Sequence, residues 1–142
     1  MDLLTPELRE RLIANAAARG DAVRRGLPEP DPAPVVKFFN PCGAATWLLT
    51  ELDGDGDTLF GLCDLGFGCP ELGCVSLAEI TGIRVGLGLQ IERDLNFAAS
   101  HPLSVYAEAA RRHGGITETS AVLADAARRL SARRDELPPS FP

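Results

Sequence analysis

The sequence predicts an α+β fold: a mainly antiparallel sheet of about five strands, with one N-terminal helix and two C-terminal helices. Three observations carry this. The run Thr46-Trp-Leu-Leu-Thr-Glu-Leu52 and the run Thr58-Leu-Phe-Gly-Leu-Cys-Asp-Leu65 flank a five-residue acidic turn, Asp53-Gly-Asp-Gly-Asp57, which is the pattern of a β-hairpin. The other apolar runs in the centre are short and separated mostly by turn residues, so neighbouring strands run mainly antiparallel. Helical periodicity is confined to the two ends.

At the N-terminus, Thr5 supplies a capping hydroxyl, Pro6 fits the first helical position and Glu7 favours the positive end of the helix dipole. Leu8, Leu12, Ile13 and Ala16 recur on one face, and Gly20 is expected to end the helix. Gly26 to Pro34 holds four prolines in nine residues, which excludes helix and favours an extended tether. That tether would let the first helix dock back on the core or elsewhere. Val35 to Phe39 is a first strand, and Asn40-Pro-Cys-Gly43 is turn chemistry. After the hairpin, Leu72 to Val75 is short and extended. Ser76 with Glu79 three residues on makes a capping box for one or two helical turns. Leu87 to Arg93 alternates apolar and polar residues and is expected to be a strand with one wet face.

Ser100-His-Pro-Leu-Ser104 begins the next helix, with Val105, Ala109 and Ala110 facing inward and Gly114-Gly115 stopping it. Thr117 or Thr119 starts the last helix, and Leu137 to Pro142 is a frayed tail. The expected layout is one domain over residues 1–142: an N-terminal helix (1–25), a Pro-rich linker (26–34), a sheet core with a helix (35–113), and a C-terminal helix and tail (114–142).

Charge is distributed unevenly. The chain has 20 acids and 14 bases for a net charge of −6. Residues 37–92 hold eight acids against only Lys37 and Arg84, so the whole excess lies there. An acidic body opposes duplex DNA binding, which depends on neutralising phosphate. The arginine pairs Arg24-Arg25, Arg111-Arg112, Arg128-Arg129 and Arg133-Arg134 sit beside helical acids and read as solvated helix faces. No apolar run is long enough to cross a membrane. The start Met1-Asp-Leu-Leu4 has no basic residue followed by an apolar run, so a cytoplasmic protein with reduced cysteines is expected.

Several side-chain sets have the residue types that chemistry requires. Cys63, Cys69 and Cys74 are the weak zinc alternative; only Cys69 and Cys74 have the spacing of a chelating pair. A catalytic thiolate requires a basic partner, and the histidines, His101 and His113, lie in the following helix. Asp53, Asp55 and Asp57, with Asp64 twelfth, echo a calcium loop, yet position six is Thr58 and the flanks are strands. Glu51, Asp64, Glu71, Glu92 and Asp94 form the carboxylate set that a Mg²⁺-dependent nuclease or hydrolase would use if they converged. Trp47 is either core or a ligand platform. The irregular stretch from Cys63 to Glu71 embeds two acids among apolar and glycine residues, as a binding loop on a rigid sheet does.

The segments Trp47-Leu-Leu-Thr-Glu-Leu52, Leu59-Phe-Gly-Leu-Cys-Asp-Leu-Gly66, Pro70-Glu-Leu-Gly73, Val75-Ser-Leu77 and Glu92-Arg-Asp-Leu95 together resemble a bacterial family of unknown function. Its members are small proteins or modules carried by conjugative plasmids, integrated elements and phages. The resemblance spans about residues 3 to 113. It implies a bacterial cytosol and a mobile-element setting, and it offers no catalytic residues. Relatives resemble this chain at Cys63 but not at Cys42, Cys69 or Cys74, which opposes a shared zinc site.

The first reading is therefore a non-enzymatic protein-binding or accessory module of a mobile genetic element, in a counter-defence role, that needs no cofactor. Its acidic surface, with Asp53, Asp55, Asp57, Asp64, Glu71 and Trp47 as candidate binding residues, would meet a host or element protein with a basic surface. The alternative is the Mg²⁺-dependent nuclease or hydrolase.

Overall fold

The computed structural model describes residues 2–136; the tail expected over Leu137 to Pro142 lies outside them. The order of elements is α1 (Pro6–Arg24), β1 (Val36–Phe39), β2 (Thr46–Leu52), β3 (Thr58–Asp64), β4 (Glu71–Ser76), α2 (Leu77–Gly82), β5 (Glu92–Arg93), α3 (Leu103–His113) and α4 (Ser120–Glu136). The sheet order is β4-β3-β2-β1-β5, and every pairing is antiparallel. This is the α+β architecture expected from the sequence.

The sheet is buried on both faces. Facing α1 and α2, it packs Val36, Phe38, Trp47, Leu49 and Leu59 against Leu3, Leu4 and Leu12. Facing α3 and α4, it packs Leu48 and Leu62 against Leu103, Tyr106, Ala109 and Leu123. Neighbours in β2 thus serve opposite cores, as the two-residue period of a strand dictates.

A bulge interrupts that period. Leu49 pairs with Gly61, but Glu51 pairs with Phe60, leaving Thr50 as the extra residue. The Thr50 carbonyl accepts from Asn15 Nδ2 of α1 at 2.9 Å, which satisfies the group the bulge takes out of the ladder. The chains close tightly beside it: a Cβ on Gly61 would lie 2.1 Å from the Leu48 carbonyl oxygen. Only glycine allows that approach.

Helix α1 is capped as expected, with Thr5 Oγ1 accepting from the Leu8 amide at 3.2 Å. It does not stop at Gly20 but runs to Arg24, and Gly26 takes the positive φ of 65°. Ala22 is buried beyond Gly20, so burial of the last turn holds the helix through a glycine that costs roughly 1 kcal/mol relative to alanine. The Pro-rich segment is not a loose tether. The Leu103 amide donates to the Pro32 carbonyl at 2.9 Å, and the Ser104 amide donates to Asp31 Oδ1 at 3.1 Å while its hydroxyl donates to Oδ2. These bonds lay the segment along the face that carries α3.

The long strand expected over Leu87 to Arg93 is the other correction. Only Glu92–Arg93 pairs, with Phe39 and Phe38. Upstream, Gly86–Gly88 is a single 3₁₀ turn with Leu87 at φ 63°, closed by an Arg84–Gln90 bridge. Leu87 and Gly88, both at positive φ, bend the backbone where alternation alone favoured extension. In α2, Ser76 Oγ accepts from the Glu79 amide at 3.2 Å, the expected cap. The last helix begins at Ser120, and the Thr119 carbonyl accepts its first bond, from Leu123.

Candidate functional site

The antiparallel register gathers three connections at one end of the sheet. Phe39 pairs with Thr46, Thr46 with Asp64, Cys63 with Glu71, and Phe39 with Glu92. The β1–β2 turn, the β3–β4 loop and the segment entering β5 therefore lie side by side. They touch: Cys42 Sγ donates to the Gly86 carbonyl at 3.4 Å, and a Cβ on Gly66 would sit 2.8 Å from the Ala44 methyl. This loop end presents large apolar side chains to water. Phe67 is 83% exposed and Leu87 is 97% exposed, with Leu65 and Leu89 beside them in sequence also exposed. Glu71 and Glu92 stand at this end on the β4 and β5 edges, and no Lys or Arg lies within ion-pair distance of either among the described residues.

The opposite end holds the acidic hairpin tip. Asp53, Asp55 and Asp57 are brought together there, but their oxygens are largely used locally. Asp55 Oδ1 accepts from the amides of Asp57 and Thr58, both at 2.8 Å, and its Oδ2 accepts from Thr58 Oγ1 at 2.6 Å. The Thr58 hydroxyl and amide lower the Asp55 pKa. Asp57 accepts from Ser76 Oγ at 2.7 Å and from the Ala78 amide at 2.8 Å, which pins the tip to the start of α2.

Other sequence candidates do not join either group. Asp64 is 6% exposed and lies a full strand away from the hairpin tip. Its Oδ1 accepts from the Gly66 amide and its Oδ2 from the Ile116 amide, each at 2.9 Å, so it ties the β3–β4 loop to the α3–α4 connection. Trp47 is 4% exposed in the core and offers no platform to a ligand. Glu51 and Asp94 are held apart, the first by Arg19 and the second by Lys37. The carboxylate set therefore does not converge.

The cysteines do not converge either. Cys63 pairs with Glu71 and Cys74 with Phe60, so the strand period puts the two thiols on opposite faces. Burial first, and Cys74 second, push the Cys63 thiol up to about 11. Among the described residues no three His, Cys, Asp or Glu side chains are arranged to hold a metal ion.

Sequence reasoning missed a cleft. On the α3 side, the floor over β3 and β4 is covered by the Pro-rich segment, and a cavity of about 450 Å³ remains between them. Pro30, Pro32, Phe60, Leu72, Cys74 and Leu103 supply apolar walls. The charged lining is Arg19, Glu29, Asp31 and Glu51. Glu51 is only 5% exposed, and its Oε1 accepts from Arg19 Nε at 2.8 Å. That hydrogen bond, then the Glu51 charge, raises the Arg19 pKa. The bulge at Thr50 puts residues 50 and 51 together on the cleft lining. Its signal in the sequence is the broken alternation in Trp47-Leu-Leu-Thr-Glu-Leu52.

A family model described as "Protein of unknown function (DUF2958)" matches residues 3–117. The chain belongs to this family. The match covers the sheet, α1, α2 and α3, together with the loop end and the cleft, and stops before α4. No curated protein and no solved structure matches the chain.

Proposed function

We propose that this domain is a non-enzymatic protein-binding module that docks through the loop end of its sheet. The observation that carries the reading is the exposure of Phe67 and Leu87, 83% and 97% respectively, on the two loops that flank the β1–β2 turn. Large apolar side chains exposed at the same end of a rigid sheet are how an interaction surface departs from ordinary protein surface. Glu71 and Glu92 flank these tips, so the partner is a host or element protein whose apolar recess is bordered by basic side chains. The sequence resemblance to proteins of plasmids, integrated elements and phages supports an accessory role for a mobile element in a bacterial cytoplasm, with counter-defence as the setting. The negative charge of the central segment acts here as flanking steering and not as one continuous acidic face.

The test is affinity capture from a bacterial host with wild-type protein, Phe67→Ser with Leu87→Ser, and Glu71→Lys with Glu92→Lys. A partner held by wild type is lost by the apolar pair and weakened by the charge-reversed pair, while all three proteins unfold at similar temperatures. Equal retention by all three refutes the reading. Incubation with single-stranded and duplex DNA, with and without Mg²⁺, addresses the enzymatic alternative, and DNA cleavage by the purified protein also refutes the module.

A further inference from the structure

We infer that the cleft between the Pro-rich segment and strands β3 and β4 binds a small organic cation, an ammonium or guanidinium head carried on an apolar body. The cavity volume, about 450 Å³, is that of a small-molecule site. Its charge lining sets one guanidinium, Arg19, against three carboxylates, Glu29, Asp31 and Glu51. Asp31 is engaged by Ser104. Glu51 is the buried member, and only its Oε1 has a partner, Arg19, among the described residues. No sealed side-chain oxygen or nitrogen among the described residues lacks a hydrogen bond. Glu51 Oε2 therefore keeps some accessible surface, and the cavity is the opening that Glu51 lines.

A buried carboxylate with one oxygen unmatched favours a donor that also carries positive charge, because a charge-assisted bond there works in a low local dielectric. Arg19 is half-exposed and approaches from α1, so it closes one side of the carboxylate and leaves the other to a ligand. The apolar body would lie on Phe60 and Leu72, under Pro30 and Pro32. A neutral ligand of the same shape gains the walls but not the carboxylate. An anionic ligand meets the excess negative charge.

The bulge explains why the site exists. Thr50 inserted into β2 brings Glu51 opposite Phe60, on the cleft side of the sheet and within reach of Arg19 on α1. Glu51 thus projects over the β3–β4 floor while its own backbone stays in the sheet.

The probes are phenethylamine, charged at neutral pH, and its neutral analogue 2-phenylethanol, titrated into the ¹⁵N-labelled full chain and followed by amide chemical shifts. The ammonium is expected to shift the amides of Glu51, Phe60 and Leu72 saturably and to bind about tenfold or more tightly than the alcohol, the size of one charge-assisted bond. Glu51→Gln removes that preference. If Glu51→Gln fails to fold, Leu72→Lys at a half-exposed wall position places a cation in the cleft and abolishes binding. No saturable shift at these amides, equal binding of the two probes, or a preference that survives either variant would overturn the inference. None of these outcomes touches the loop-end docking surface, which the probes do not reach.

Discussion

Replacing Asp64 with alanine tests whether this residue is a structural tie or a functional acid. Its two oxygens each receive one backbone amide, from Gly66 and Ile116, at 2.9 Å. The residue is 6% exposed, so water does not readily replace it. A hydrogen bond to a charged acceptor contributes about 1.5–3 kcal/mol, and orphaned buried donors add their desolvation cost. Asp64→Ala should then cost at least about 3 kcal/mol, a large share of a total of about 10 kcal/mol, yet leave the protein folded. Asp64→Asn keeps one acceptor and turns an amide group toward the second donor, so about half of that loss is expected. With a urea slope of about 2 kcal/mol per molar, the alanine midpoint falls by ~1.5 M and the asparagine midpoint by about half as much. Equilibrium urea unfolding followed by Trp47 fluorescence reads both. A shift below ~0.5 M for alanine, or equal shifts for the two variants, would refute the structural assignment and return Asp64 to the functional candidates.

Two further predictions follow from the titrating groups. Burial opposes the Glu108 charge, but Arg111, Arg112 and Arg133 outweigh it and lower the pKa from 4.5 to about 2. Because the folded value is the lower one, the unfolded chain binds more protons across that window, so the stabilisation is complete above the unfolded value and is lost as the pH falls toward 2. The arginines are partly exposed, so screening limits the effect to on the order of 1–3 kcal/mol. Urea midpoints measured at pH 7, 4 and 2.5 should fall with pH in wild type and fall less in Glu108→Gln; parallel profiles would remove the assignment. Cys63, half-buried and pushed up to about 11, should be alkylated last. Exposed Cys42 and Cys69 should react first in a timed iodoacetamide reaction at pH 8, mapped by mass spectrometry; early modification of Cys63 would contradict its burial.

Local chemistry made much of the fold readable. The hairpin required only alternation around an Asp-Gly-rich turn, and the caps of α1 and α2 required only Thr5 and Ser76. Gly20 misled because its local preference was outweighed by the burial of Ala22 beyond it. The segment before β5 misled because apolar alternation at Leu87, Leu89 and Ile91 says nothing about the positive φ that Leu87 and Gly88 adopt. The site was harder for a different reason. Glu51 lies 32 residues from Arg19 in the chain, and its place in the cleft depends on a bulge and on a segment that folds back from α1. Asp64 had the right chemistry for a surface acid, but its partners include an amide 52 residues away. Phe67 and Leu87 were visible as residues, but that they share one end of the sheet follows only from the strand register.

Helix α1 and the residues before it roof one side of the sheet, where Leu3, Leu4 and Leu12 meet Trp47, Leu49 and Leu59. Asn15 also holds the carbonyl that the bulge releases. Residues 2–24 are thus an integral part of the packed core, despite the prolines that follow them. A chain trimmed to start at Gly26 would show solvent a bare greasy slab with an orphaned carbonyl in its middle, and self-adhesion would be its easiest escape.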